Sequence, residues 1–115
     1  MVENDGLFLN CAMMDLLVAT YDPTGENAEN PLCWPYFATE ADVEGMPPHV
    51  VSVNELDPLR DEGIAYFRTL LRAGVPAVGR VNLGLVHGAD SIFRQAVAEN
   101  YRATVRDIKG FADGL

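Results

Sequence analysis

An aspartate and a histidine, each placed just after a valine-rich run, carry the chemistry most readily read from this sequence. Asp57 stands in VNELDPLRDEG, residues 53–63, where a strand-like pattern gives way to a helix-like one, and His87 stands in VHGAD, residues 86–90, after a second such run. An imidazole takes up and returns a proton near neutral pH, and a carboxylate against one ring nitrogen fixes its tautomer and stabilises the imidazolium. The same residues have plainer uses. Asp57 followed by Pro58 suits a helix start, where a cap contributes about 1 kcal/mol without any catalysis, and His87 beside Gly88 suits an ordinary loop. Local sequence leaves both readings open, so the elements that position the two residues must decide whether they meet.

Residues 49–115 predict a regular order of elements. HVVSVNEL, residues 49–56, is a short valine-rich strand. From about Leu59 to Ala73, Ile64, Phe67 and Leu71 fall on one helical stripe with Tyr66 and Leu70 beside it, and Gly74 followed by Pro76 is a strong stop. AVGRVNL, residues 77–83, is a second strand. Asp90 can cap a final helix in which Phe93, Val97, Tyr101, Val105 and Ile108 make one long apolar stripe. A strand, crossover helix and strand of these lengths predict an α/β arrangement of two parallel strands with flanking helices and a right-handed crossover. Both strands then end at one edge of the sheet, about 4.8 Å apart. Ligand and catalytic groups of open α/β sheets collect at that edge, and the loops holding Asp57 and His87 both leave from it.

Residues 1–48 are less regular and contain one helix. Asn10 can cap Cys11 to Tyr21, where Met13, Leu16, Leu17 and Thr20 recur at helical spacing, and Asp22-Pro23-Thr24-Gly25 ends it with turn chemistry. The connection that follows, to Pro48, holds most of the chain's prolines and one short helical turn at Glu40 to Glu44, closed by Gly45. A connection of that length serves as a lid, a binding loop or a disordered linker. Trp34, Tyr36 and Phe37 argue against disorder, because they supply the apolar area that ordering requires. The chain thus divides into a connection with one helix, 1–48, and a strand-helix-strand-helix unit, 49–115, and the resemblance described below implies that the first is cap- or pocket-forming and that the whole is a single partial domain.

Composition bounds the partners. The chain has 115 residues, 49% of them hydrophobic, and 17 acidic against 8 basic side chains give a net charge of −9. That charge disfavours nucleic acid and anionic lipid as partners. No apolar run approaches the roughly 18 residues of a membrane span, and the opening residues lack a basic targeting region. Cys11 and Cys33 are too few for a disulfide framework and lack metal-ligand spacing, so they read as buried free thiols in a cytoplasmic protein. No metal or organic cofactor is implied. His49, at a strand start, reads as a surface or packing residue, and Asp61 and Glu62 as acids favoured in the first turn of a helix, with Asp61 placed to brace the Asp57 loop.

Taken together, ENDG at 3–6, YDPTGE at 21–26, WPYFA at 34–38, MPP at 46–48, NELDPLRDEG at 54–63 and VHGAD at 86–90 resemble the carboxyl-terminal part of an α/β hydrolase. More narrowly, they are similar to the bacterial esterases related to hormone-sensitive lipase. The resemblance implies a carboxylic ester hydrolase in which Asp57 is the acid and His87 the general base of a serine triad. It also implies that Trp34, Tyr36 and Phe37 help shape the acyl and alcohol pockets for a small ester substrate.

The sequence departs from that pattern in one way that bears on activity. The family's nucleophile lies on a G-x-S-x-G elbow, preceded by an oxyanion loop of the HGG type, and neither motif is present here. Ser52 falls inside the first strand and Ser91 in the first turn of the last helix. The expectation is a portion of an esterase that supplies acid and base, is inactive alone, and needs an amino-terminal hydrolase portion or another chain. The alternative is a truncated hydrolase remnant that acts, if at all, as an interaction module through its open sheet edge. A small flavodoxin-like binding domain is disfavoured, because NLGLVHGAD is too sparse in glycine to cradle a phosphate.

Overall fold

The computed structural model describes residues 2–115. After a short 3-10 turn at Val2–Asn4, helix α1 runs over Cys11–Tyr21 and begins where the Asn10 side chain accepts the Met13 N–H at 2.8 Å. A second 3-10 turn, Pro35–Phe37, precedes the four-residue helix α2, Glu40–Val43. Thr39 and Asp42 form a reciprocal capping box at the start of α2, satisfying two donors that a helix terminus leaves orphaned. Strand β1, His49–Asn54, helix α3, Arg60–Arg72, and strand β2, Ala77–Asn82, follow in order.

The two strands pair in parallel, with His49 opposite Ala77 and Asn54 opposite Asn82. Each strand ends earlier than the valine pattern predicts, at Asn54 and Asn82, although backbone pairing continues through Glu55 and Leu56. Gly63 explains how closely α3 covers the sheet: a Cβ there would lie 2.6 Å from Val53 Cγ1, so a side chain at this position would push the helix off β1. The buried residues of α3 are Thr69 and Leu70; Leu70 packs with Val43 and Val75, whereas Leu71, expected on the core stripe, is 49% exposed. The helix therefore presents its Tyr66 and Leu70 side to α2.

The final helix is the largest correction to the sequence reading. Two helices occur, α4 at Ala89–Ile92 and α5 at Ala98–Asp113, separated at Phe93. The apolar stripe predicted for one long helix is thus split, and no residue of α5 is buried. Asp90 does not cap a helix. It lies inside α4 and is itself buried, with Gly88 at the cap position. α5 is tied back to the sheet through Arg80 and Asp107.

Much apolar surface is left uncovered. The accessible surface is 7629 Å², against about 6,200 Å² expected for a compact monomer of this mass. Helix α1 has no buried residue: Leu16 and Leu17 of its predicted stripe are more than half exposed. The cysteines also differ from expectation, since both are free but only partly covered. Partial desolvation and the neighbouring Asp5 carboxylate push the Cys11 thiol above its ordinary range, so it stays protonated at neutral pH.

Candidate active site

The register of the sheet brings the two candidate residues together. β1 and β2 end at the same level, and the segments beyond them stay paired: the Glu55 N–H donates to the Asn82 carbonyl and the Leu56 N–H to the Leu85 carbonyl, both at 2.9 Å. One loop then reaches Asp57 and the other His87. His87 Nδ1 lies 2.8 Å from Asp57 Oδ2, so the ring N–H donates to the carboxylate and leaves Nε2 as the nitrogen able to accept a proton.

Asp57 does not cap α3, whose cap position is Leu59; it lies two residues earlier, in the turn that leads into the helix. Its second oxygen, Oδ1, accepts the Leu59 N–H at 2.9 Å and shapes the entry to α3, while Oδ2 faces the histidine. The one carboxylate makes both contacts. Asp57 is 8% exposed and Pro58 is fully buried. The loop is further tied by Asn4, whose amide donates to the carbonyls of Glu55 and Asp57 at 2.9 and 3.2 Å. Arg60 donates to the Glu55 carbonyl at 2.9 Å and pairs with Asp61 and Glu3. Those two carboxylates hold the Arg60 guanidinium well above its usual range, and Arg60 in turn keeps Asp61 below that of a carboxylate. Asp61 thus braces the Asp57 loop through Arg60.

The histidine side is more open. The His87 side chain is 38% exposed and borders a small cleft shared with Leu59, Gly88 and Ser91. Gly88 adopts φ +62°, a left-handed turn that carries the chain from His87 into α4. Ser91 donates its hydroxyl to the Gly88 carbonyl at 3.0 Å, and Ser52 accepts from Asn82 at 3.0 Å. Neither serine sits on a nucleophile elbow.

Trp34, Tyr36 and Phe37 line a second, larger cleft of about 590 Å³ whose wall also includes Leu59 and Glu62. Leu59 borders both clefts, so the aromatic surface lies next to the Asp57–His87 pair. Trp34 packs edge-on against Tyr21, with ring centroids 5.2 Å apart, and Tyr36 against Phe37 at 5.3 Å. Burial, reinforced by the nearby Asp57, pushes the Glu62 carboxyl up. His49 remains a packing residue, its ring edge-on to Tyr66.

Sequence reasoning missed the asparagines. Asn4, Asn54 and Asn82 all donate within or beneath the site. A signal was present: HVVSVN and AVGRVN both end in Val-Asn, and the register sets Asn54 against Asn82. Among the described residues no three His, Cys, Asp or Glu side chains are grouped as metal ligands, and no helix is long and apolar enough to cross a membrane.

Residues 1–91 match the family model described as the α/β-hydrolase fold, and the chain belongs to that family. Within it the chain corresponds to the carboxyl-terminal region of the esterases related to hormone-sensitive lipase. It is similar to the solved structure of brefeldin A esterase, a bacterial homologue of human hormone-sensitive lipase, with 62% identity and a TM-score of 0.94 over 96% of this chain and 31% of that one. The esterase Est22 superposes with a TM-score of 0.88 at 43% identity, covering 98% of this chain and 33% of that one. An arylesterase of Saccharolobus solfataricus is 39% identical over 84 residues, 71% of this chain and 26% of that protein. The chain thus spans about a quarter of the curated relatives it matches and about a third of the solved structures.

Proposed function

We propose that this chain is the acid-and-base portion of a carboxylic ester hydrolase, completed by an amino-terminal hydrolase portion that carries the serine and the oxyanion hole. The observation that carries the reading is the 2.8 Å contact between His87 Nδ1 and a buried Asp57 carboxylate on an otherwise open ring. With Nδ1–H committed to Asp57, Nε2 takes the proton of the serine hydroxyl as it attacks the ester carbonyl, and returns it to the departing alcohol. Water then repeats the sequence to release the acid. Asp57 holds the tautomer and stabilises the imidazolium. Trp34, Tyr36 and Phe37 would receive the apolar part of a small ester. Two free thiols are in keeping with a reducing, cytoplasmic setting.

The test is complementation. Alone, the chain should not hydrolyse a short-chain p-nitrophenyl ester, because acid and base without a nucleophile form no acyl-enzyme. Co-expressed with, or fused to, the amino-terminal portion of a related esterase, it should gain activity. A second reading, an interaction remnant, is favoured by the uncovered apolar surface. Stable co-elution of the two portions without hydrolysis would support that reading over the first.

A further inference from the structure

We infer that Asn54 is the positioning residue that sets His87 against Asp57, an inference that rests on reading the pair as base and acid. Asn54 is the last residue of β1 and is 5% exposed. Its main-chain carbonyl accepts the Asp57 N–H at 3.2 Å, so it fixes the start of the acid loop. Its side chain reaches across to the base loop. Nδ2 donates to the carbonyl of Val86, the residue before His87, at 2.8 Å, and to Asp90 Oδ1, three residues beyond His87, at 3.1 Å. Oδ1 accepts from Asn82 Nδ2 at 2.9 Å, tying the end of β2 into the same node. Asp90 is held from its other side by the Thr104 hydroxyl at 2.9 Å, which explains why this buried carboxylate lies inside α4.

Only an amide satisfies this node. It needs two donors toward the Val86 carbonyl and Asp90 and one acceptor toward Asn82. An aspartate of the same shape has no donor at neutral pH, strands a buried carbonyl, and sets a second carboxylate against Asp90. Because Val86 and Asp90 flank His87, their displacement moves the ring, and a misplacement of about 1 Å can cost about 10²-fold in rate.

The experiment compares wild type, N54D and the exchange N54D/D90N in the complemented or fused esterase. Readouts are kcat and KM on a short-chain p-nitrophenyl ester, the melting temperature, and the proton NMR signal of the hydrogen-bonded His87 Nδ1–H. N54D should lower kcat by about 10²-fold with KM changed less than about twofold, and should shift or abolish that signal. The exchange restores a hydrogen bond between positions 54 and 90 and should recover melting temperature. It leaves the Val86 carbonyl without its donor, so kcat should stay depressed. Wild-type kcat with an unchanged signal in either folded variant would overturn the inference. A wild-type fusion with no hydrolysis would instead overturn the esterase reading, and the NMR comparison alone would then decide the role of Asn54.

Discussion

The two loops that meet at the sheet edge are built on opposite plans. The Asp57 loop is enclosed: its carboxylate is tied to the Leu59 N–H, its carbonyls to Asn4, and its flank to Arg60. The His87 loop is anchored before the histidine, through Leu85 and Val86, and beyond it, through Asp90, but has no such jacket at the histidine itself, whose side chain stays 38% exposed. The difference follows from what each group would have to do. A residue that only orients and compensates charge can be buried as soon as its lone pairs are satisfied. A general base needs one nitrogen fixed and the other accessible to the reacting proton. Enclosure on one side and access on the other is therefore what a working pair requires, whereas an incidental cap and a loop histidine would impose no such asymmetry.

Removing the open member should have the largest effect. In the complemented esterase, His87→Ala takes away the group proposed to accept the serine proton, and turnover should fall by about 10⁶-fold, as when the base of another serine triad is removed. Thermal unfolding should barely change, because the ring is partly exposed and its one bond is to Asp57. Initial rates at saturating ester decide it: activity within about tenfold of wild type would end the claim that this chain supplies the base.

The enclosed member should cost less, and in a different way. Asp57→Asn keeps an oxygen for the Leu59 N–H, so the entry to α3 and the assembly of the portions should survive. The amide nitrogen then faces His87 Nδ1 and selects the tautomer whose Nε2 carries the proton, which cannot act as base. Turnover should drop by about 10⁴-fold, with the fold retained by circular dichroism. A loss equal to that of His87→Ala accompanied by unfolding would mean that Asp57 serves chiefly to shape the turn into α3.

The contrast between the loops was only half legible in the sequence. The valine runs, the Gly74-Pro76 stop and the spacing of Asp57 and His87 were enough to predict a parallel pair and a shared edge, because strand-crossover-strand topology leaves few alternatives. What enclosed one loop and not the other was hidden. Asn4 reaches Glu55 and Asp57 from the far end of the chain, a contact that no local pattern encodes. The break at Phe93 was missed because the apolar spacing continues across it. Asp90 looked like a cap for the reason that short acids favour helix starts, yet a buried partner from β1 outweighed that propensity. The stripe on α1 has the spacing of a core helix, yet none of its residues is buried among the described residues, since periodicity records a face and not its partner.

The finest test of the enclosure is Glu62, which stands on the acid side in the first turn of α3 and borders the aromatic cleft. Burial, with help from the Asp57 charge, raises its carboxyl in the folded state, so folding favours the protonated form. The sign follows directly: stability from this group is fully present below the unfolded glutamate value of about 4.3 and is lost as pH rises through the higher folded value. At neutral pH the ionised Glu62 therefore opposes folding slightly. Glu62→Gln, which cannot ionise, should raise the melting temperature of the fused protein at pH about 7 by a small amount, and the advantage should close as pH falls below about 4. Melting curves of the two proteins across that range provide the measurement. A difference that stays constant with pH, or a variant less stable at neutral pH, would show that the acid side is not desolvated at Glu62, and the contrast with the open His87 loop would then be confined to Asp57 itself.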